Sequence, residues 1–249
     1  MSLLNYSELI QLQRFPTPAV FNGWEQITRH DVARTGINLE PIQDFMPNMG
    51  PMVGYAVTMV IQPSDPSHKT KKPNAWLDYY QYVSSIPGPK ILVVQDLDKP
   101  NVHATITGEM NAGLLKLLDC QGVIADGGVR DLPEVQKIGF KMMARQLCVG
   151  HGHGCPVDWN VEVDVFGCKI KPGQLIHADQ HGFLAIPFGE EQRLLQATRE
   201  MDRIECETLV EFHHRVRGRK SVENFSDFSE AFQNYSSKIK AYAETLSNK

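Results

Sequence analysis

Glu109 and the pair Arg130-Asp131, with twenty residues between them, are the residues of this chain whose types best suit chemistry. The pair closes the run Gly122-Val-Ile-Ala-Asp-Gly-Gly-Val-Arg-Asp131. Two carboxylates and one fixed cation are a meaningful combination. A hard divalent metal takes carboxylate oxygens and water, while a guanidinium fork takes a carboxylate through two parallel hydrogen bonds. Together they make a receptor for a metal-chelated keto acid, which points to chemistry at a carbonyl.

The elements around these residues must bring them together. Strand-length apolar runs occur at Tyr55 to Ile61, Lys90 to Val94, Val123 to Ala125, Lys141 to Ala144, Leu175 to Ala178 and Phe183 to Ile186. Between them, Glu109 to Asp119 carries Met110, Ala112, Leu114, Leu115, Leu117 and Leu118 at helical spacing, and Leu132 to Ile138 is a second helix closed by Gly139. Short strand-helix-strand crossovers imply neighbouring parallel strands, whose carboxyl-end loops open on one edge of the sheet. Gly108-Glu109 and Arg130-Asp131 are two such loops, each at a helix start where free N–H groups and the helix dipole favour an anion.

After Asp158 the pattern alternates: Val161, Val163 and Val165 face one way, Asn160, Glu162 and Asp164 the other, as in a half-buried antiparallel strand running to Phe166. Turns at Phe166-Gly167, Lys171-Pro-Gly173 and Gln180-His-Gly182 separate the strands that follow. A parallel layer therefore joins an antiparallel one. The expected organisation is a helical lead-in over residues 1–50, a main domain over 51–217 and a C-terminal helical tail over 218–249. In the main domain, Phe188 to Arg217 reads as helical, and the tail carries a stripe of Phe228, Phe232, Tyr235, Ile239 and Tyr242.

Composition narrows the function classes. The 249 residues are 42% hydrophobic, enough for a substantial core, and a net charge of −4 with a pI near 6.1 lacks the basic footprint of a nucleic-acid binder. No stretch reaches the roughly 18 apolar residues that span a bilayer, and no basic segment followed by an apolar one opens the chain. A cytoplasmic protein with no membrane and no nucleic-acid partner is expected. Cys120, Cys148, Cys155, Cys168 and Cys206 are dispersed, without a Cys-x-x-Cys pair, and read as reduced thiols.

Gly108-Glu-Met-Asn-Ala112, the Gly122–Asp131 run, Gly139-Phe140, Lys171-Pro-Gly173 and Ala178-Asp-x-x-Gly182-Phe-Leu-Ala-Ile-Pro187 together resemble one family. It comprises the class II 4-hydroxy-4-methyl-2-oxoglutarate and 4-carboxy-4-hydroxy-2-oxoadipate aldolases. It also contains the regulator of ribonuclease activity A and proteins mislabelled as demethylmenaquinone methyltransferases. The resemblance spans roughly residues 50 to 210, and the acidic-x20-Arg-Asp spacing is its most specific part.

The resemblance implies an α/β fold, a three-layer β/β/α swivelling-type domain, assembled as a homotrimer or homohexamer. It implies a metal-dependent aldolase that cleaves a 4-hydroxy-2-oxo acid to pyruvate and a keto acid or aldehyde, with oxaloacetate decarboxylase activity. Asp131 resembles the direct ligand of Mg²⁺ or Mn²⁺, and Glu109 the carboxylate that holds metal-bound water. Arg130 would clamp the substrate carboxylate, and the backbone amides of Met110 and Asn111, beside Gly108, would meet the pyruvyl end. A further acid comes in the family from the C-terminal helix of an adjacent subunit. Glu205 is the best match, ahead of Glu200 and Glu207. The rival function is a noncatalytic, protein-binding regulator of ribonuclease. A methyltransferase lacks support, because no Gly-rich loop with a following ribose-binding acid follows an early strand.

Each residue also has a plain structural reading. Asp131-Leu-Pro-Glu134 makes a credible N-cap box, Glu109 could simply complement a helix dipole, and Arg130 could be a surface ion pair. Asp126 and Asp179 read as turn residues, and His181 as part of a hairpin turn. His151-Gly-His153-Gly-Cys155 has zinc-ligand types, but no second cluster completes a tetrahedral set. The loop departs from the Ser-Pro-rich stretch of the resembled family, so at the pocket edge it would alter the substrate range.

Overall fold

The computed structural model describes residues 3–217 and 225–247. Helices α1 (Tyr6–Leu12) and α2 (Thr17–Ile27) come first, then the short strand β1 (Gln43–Asp44). The central series is β2 (Met52–Ile61), α3 (Ser67–Lys71), α4 (Ala75–Ser85), β3 (Lys90–Asp96), β4 (Thr105–Thr107), α5 (Glu109–Leu117), β5 (Cys120–Val129), α6 (Leu132–Ile138) and β6 (Lys141–Leu147). Then follow β7 (Pro156–Trp159), β8 (Val163–Val165), β9 (Cys168–Ile170), β10 (Leu175–Asp179), β11 (Gly182–Ile186) and α7 (Glu191–Glu205). A π-helical turn at Cys206–Val210 joins α7 to α8 (Glu211–Val216), and α9 (Phe225–Ser247) follows.

The main sheet runs β1-β6-β5-β3-β2-β10-β11. Strands β2, β3, β5 and β6 are mutually parallel, while β1, β10 and β11 are antiparallel to their neighbours. All ten residues of β2 are buried, as an unbroken apolar run predicts for a strand covered on both faces. Helices α4, α5 and α6 cover one face over Val57, Met59, Leu92, Val94 and Val123. The β8–β9 hairpin packs Val163, Val165 and Ile170 against the opposite face, over Ala56, Ile91, Val93 and Ile124. The result is the α, β, β layering of a curled sheet with helices at both ends. Helices α1, α2 and α7 complete the fold around Trp24, Tyr55 and Leu184.

The apolar stripe of α7, from Leu194 to Ile204, is buried, and α9 lies against α7 and α2. In α9 Tyr235, Ile239 and Tyr242 are partly covered, whereas Phe228 and Phe232 stay exposed and stack on each other. The expected start of the tail at residue 218 lies outside the described residues. Among the described residues, no helix is long and apolar enough to cross a membrane.

Two expectations are corrected. Asp126 is not a turn residue: it lies inside β5, fully buried, where it accepts hydrogen bonds from Lys99 Nζ at 2.8 Å, from the Phe166 amide at 2.9 Å and from Arg145. Asp131 does not cap α6. It sits in the left-handed region (φ 60°, ψ 39°) and makes no side-chain cap, so the box read from Asp131-Leu-Pro-Glu134 does not form. Asp179 does fit a turn, ending β10 and accepting from the His181 amide at 2.9 Å, with His181 in the β10–β11 hairpin.

Candidate active site

Strand register brings the two loops together. β4 lies parallel to the carboxyl end of β5, with Thr107 opposite Val129, so Gly108 and Arg130 leave the sheet side by side. The Arg130 amide fixes the alignment by donating to Thr107 O at 3.2 Å. The helices that follow, α5 and α6, then start next to each other.

Asp131 turns its side chain back across this gap. Its Oδ2 accepts from the backbone N–H of Glu109, the first residue of α5, at 3.0 Å, and lies 3.5 Å from Arg130 Nε. Its other oxygen has no hydrogen bond among the described residues, and 37% of the side chain remains exposed. The left-handed backbone of Asp131 is what lets the carboxylate leave its own helix and meet the neighbouring one. The close approach also requires a glycine. A Cβ on Gly108 would lie 2.4 Å from Asp131 Oδ2 and 2.9 Å from Arg130 Nε.

Arg130 is half-exposed, and its Nη1 donates to Val149 O at 2.9 Å, which fixes the guanidinium while leaving Nη2 uncommitted. The Glu109 carboxylate is exposed and makes no hydrogen bond or ion pair among the described residues. At the start of α5 the amides of Met110 and Asn111 have no acceptor within the helix, as in any first turn. The Asn111 side chain is held on both sides, accepting from Tyr80 Oη at 2.9 Å and donating to Ile106 O at 2.7 Å. Burial pushes the Tyr80 phenol up to about 12, so it stays a neutral donor.

A cleft of about 430 Å³ opens here, lined by Gly108, Met110, Asn111 and Arg130. Lys69 of α3, Trp76 and Tyr80 of α4, Ile106 and His151 complete its walls. His151 thus borders the pocket, as the departure in its loop allowed, whereas His153 is exposed and, among the described residues, only its amide is engaged, with Pro63 O. Asp131 lines a second hollow beside Arg130, with Leu147 and Val149. Arg130 stands between the two.

Glu205 is not part of this cluster within one chain. It lies at the end of α7, where its Oε1 accepts from Asn22 Nδ2 of α2 at 3.0 Å. Glu200 and Glu207 both pair with Arg203. Sequence reasoning missed Lys69, Trp76 and Tyr80: the i, i+4 spacing of Trp76 and Tyr80 signals a helix face packed on the core, and nothing local ties them or Lys69 to the site until α3 and α4 fold over the sheet edge.

The carboxylates at this edge are hard oxygen donors. Asp131 offers an uncommitted oxygen and Glu109 a second carboxylate nearby in the fold, while no group of three or more His, Cys, Asp or Glu side chains gathers among the described residues. Such a site would leave the remaining positions to water and substrate, as Mg²⁺ prefers.

A family model described as RraA-like, Aldolase/RraA, matches residues 18–185, about two thirds of the chain. A protein of Halalkalibacterium halodurans named "Putative 4-hydroxy-4-methyl-2-oxoglutarate aldolase" is 29% identical over 103 residues, which is 41% of this chain and 49% of that protein. The chain therefore spans about half the length of this curated relative. Among solved structures, an uncharacterized protein from Pseudomonas syringae pv. tomato superposes with a TM-score of 0.71 at 17% identity, covering 94% of this chain and 96% of that one. Streptomyces coelicolor RraAS2, described as an unusual member of the RNase ES inhibitor RraA protein family, gives 0.64 at 18% identity, covering 82% and 96%. At these identities the two structures speak to the fold.

Proposed function

The chain belongs to the RraA-like family, and from that premise we propose that it is a divalent-metal-dependent lyase cleaving a 4-hydroxy-2-oxo acid to pyruvate and a second carbonyl compound. One observation carries the reading: an uncommitted Asp131 oxygen, a tethered Arg130 guanidinium and the free amides of α5 share one sheet edge. These are the complementary parts for an α-keto carboxylate.

Arg130 is the carboxylate clamp. Its Nη1 anchor on Val149 O means that little side-chain freedom is lost on binding. The Met110 and Asn111 amides, at the positive end of α5, orient the pyruvyl oxygens, and Tyr80 keeps the Asn111 side chain from competing for them. Mg²⁺ or Mn²⁺, held by Asp131 directly and by Glu109 through water, would stabilise the negative charge that develops on the ketone as the C3–C4 bond breaks. The Glu109 carboxylate, exposed and unpaired among the described residues, takes the proton of the C4 hydroxyl, directly or through water, and returns a proton to C3 of the enolate to give pyruvate. Loss of carbon dioxide from oxaloacetate generates the same pyruvate enolate without that proton transfer, so one site serves both reactions. We assign Glu205, which Asn22 holds on α7 in its own chain, a supporting role from a neighbouring copy of the chain in a trimer or hexamer, as the family resemblance implies.

The test is pyruvate release from oxaloacetate and from 4-hydroxy-4-methyl-2-oxoglutarate with Mg²⁺, with Mn²⁺ and with excess chelator. Release with metal and none with chelator is expected. No metal-dependent release from either substrate would favour the rival reading, a noncatalytic protein-binding regulator.

A further inference from the structure

The cleft is larger and more apolar than a pyruvyl group needs. Trp76 and Tyr80 present a ring wall, their centroids 5.7 Å apart and planes 30° from parallel, and Ile106 and the largely exposed Met110 extend the apolar surface. Both rings are partly buried against the core beneath α4, which fixes their position, and their remaining surface faces the same cleft as Arg130. The Tyr80 hydroxyl is already spent on Asn111, so this wall offers the ligand rings and methyl groups in place of hydrogen bonds. The charge around it is one-sided: Lys69 and Arg130 line the cleft, and no Asp or Glu does. An anion with a bulky apolar part matches both features.

We infer that this cleft selects 2-oxo acids bearing a ring-sized apolar substituent on the carbon chain beyond the ketone, with that substituent lying against Trp76 and Tyr80. The inference rests on the proposed pyruvyl site at Arg130 and adds the identity of the departing half of the substrate. A small polar substituent would leave the wall wet and gain nothing from it, whereas a phenyl-sized group removes apolar surface from water on both partners. Lys69, at the cleft margin, favours anions in general and does not set the preference between substituents.

The test uses two stable acids that cannot be cleaved, 2-oxobutanoate and 2-oxo-4-phenylbutanoate, which differ by one phenyl group. Their Kd values are measured by calorimetry on the full-length chain with Mg²⁺ present. The phenyl compound should bind about tenfold or more tightly. Trp76→Ala should bring the ratio of the two affinities below about threefold. Because Trp76 also packs on the core, Trp76→Phe is the control, and it should retain most of the preference. Equal affinities in the wild type, or a ratio that survives Trp76→Ala, would overturn the inference and leave the pyruvyl site intact. Failure of both acids to bind would overturn the pyruvyl site as well.

Discussion

Replacing Gly108 by alanine probes the arrangement at its tightest point. The added methyl would sit 2.4 Å from Asp131 Oδ2, and ordinary contact begins near 3.4 Å, so the carboxylate must retreat by about 1 Å. That retreat breaks the hydrogen bond from the Glu109 amide, a charge-assisted contact worth about 1.5–3 kcal/mol. The clashing atoms belong to the flexible, half-exposed side chains of Asp131 and Arg130 and none is backbone, so the fold should adjust cheaply, at about 1–2 kcal/mol. Catalysis should not adjust, because a misplacement near 1 Å in a positioned group costs about a hundredfold. The expected result is a roughly hundredfold fall in kcat/KM for pyruvate release with Tm lowered by only a few degrees. Activity within threefold of wild type would refute the claim that Asp131 must hold this position. A collapse of Tm with proportionate loss of activity would assign Gly108 a folding role instead.

Other consequences follow from the same contacts. Arg130→Lys should lower kcat/KM at least tenfold, since an ammonium cannot both donate to Val149 O and clamp a carboxylate as a fork does; steady-state kinetics on oxaloacetate checks it. Lys141 and Asp44 form an ion pair with both side chains 2% exposed, so Asp44→Asn or Lys141→Met alone should each cost about 3–5 kcal/mol in urea unfolding, and the double substitution less than their sum. His177 is buried between Thr17 and Leu12 O, and burial lowers its pKa from 6.5 to about 4. The unfolded chain therefore binds this proton first. The contribution of His177 is complete above about pH 6.5 and falls away towards pH 4, by about 3 kcal/mol in all. Buried Asp96, raised from 3.8 to about 6, acts in the opposite sense, losing stability as pH rises through that window. The His177 effect is thus read as the difference in pH dependence between wild type and His177→Gln.

The helices bearing the candidate site were legible because their signals are local. Glu109 opens α5 and Gly139 closes α6 in the left-handed conformation, as the spacing predicts. The long strands were legible as apolar runs. Asp126-Gly-Gly misled because paired glycines signal turns; here they sit where the β5–β6 pairing shifts register and the strand is crowded, with a Cβ at Gly127 meeting Asp96 and one at Gly128 meeting the Cys148 side chain. The capping box at Asp131 misled for a related reason. Its residue types fit a cap, but the side chain finds a better donor on another helix, and sequence spacing cannot register that competition. The apolar wall was harder to read: Trp76, Tyr79, Tyr80 and Val83 recur at helical spacing, but that pattern marks only a face packed on the core, and the part that Trp76 and Tyr80 turn to the cleft gains its meaning when Tyr80 reaches Asn111.

The most direct check on the account is a Mn²⁺ titration of wild type and Asp131→Ala, followed by electron paramagnetic resonance, with circular dichroism confirming that both are folded. The account predicts saturable binding to the wild type and at least a tenfold loss of affinity in the variant. Equal affinity in the two proteins would contradict it, since the carboxylate placed at the centre of the site would then hold no metal.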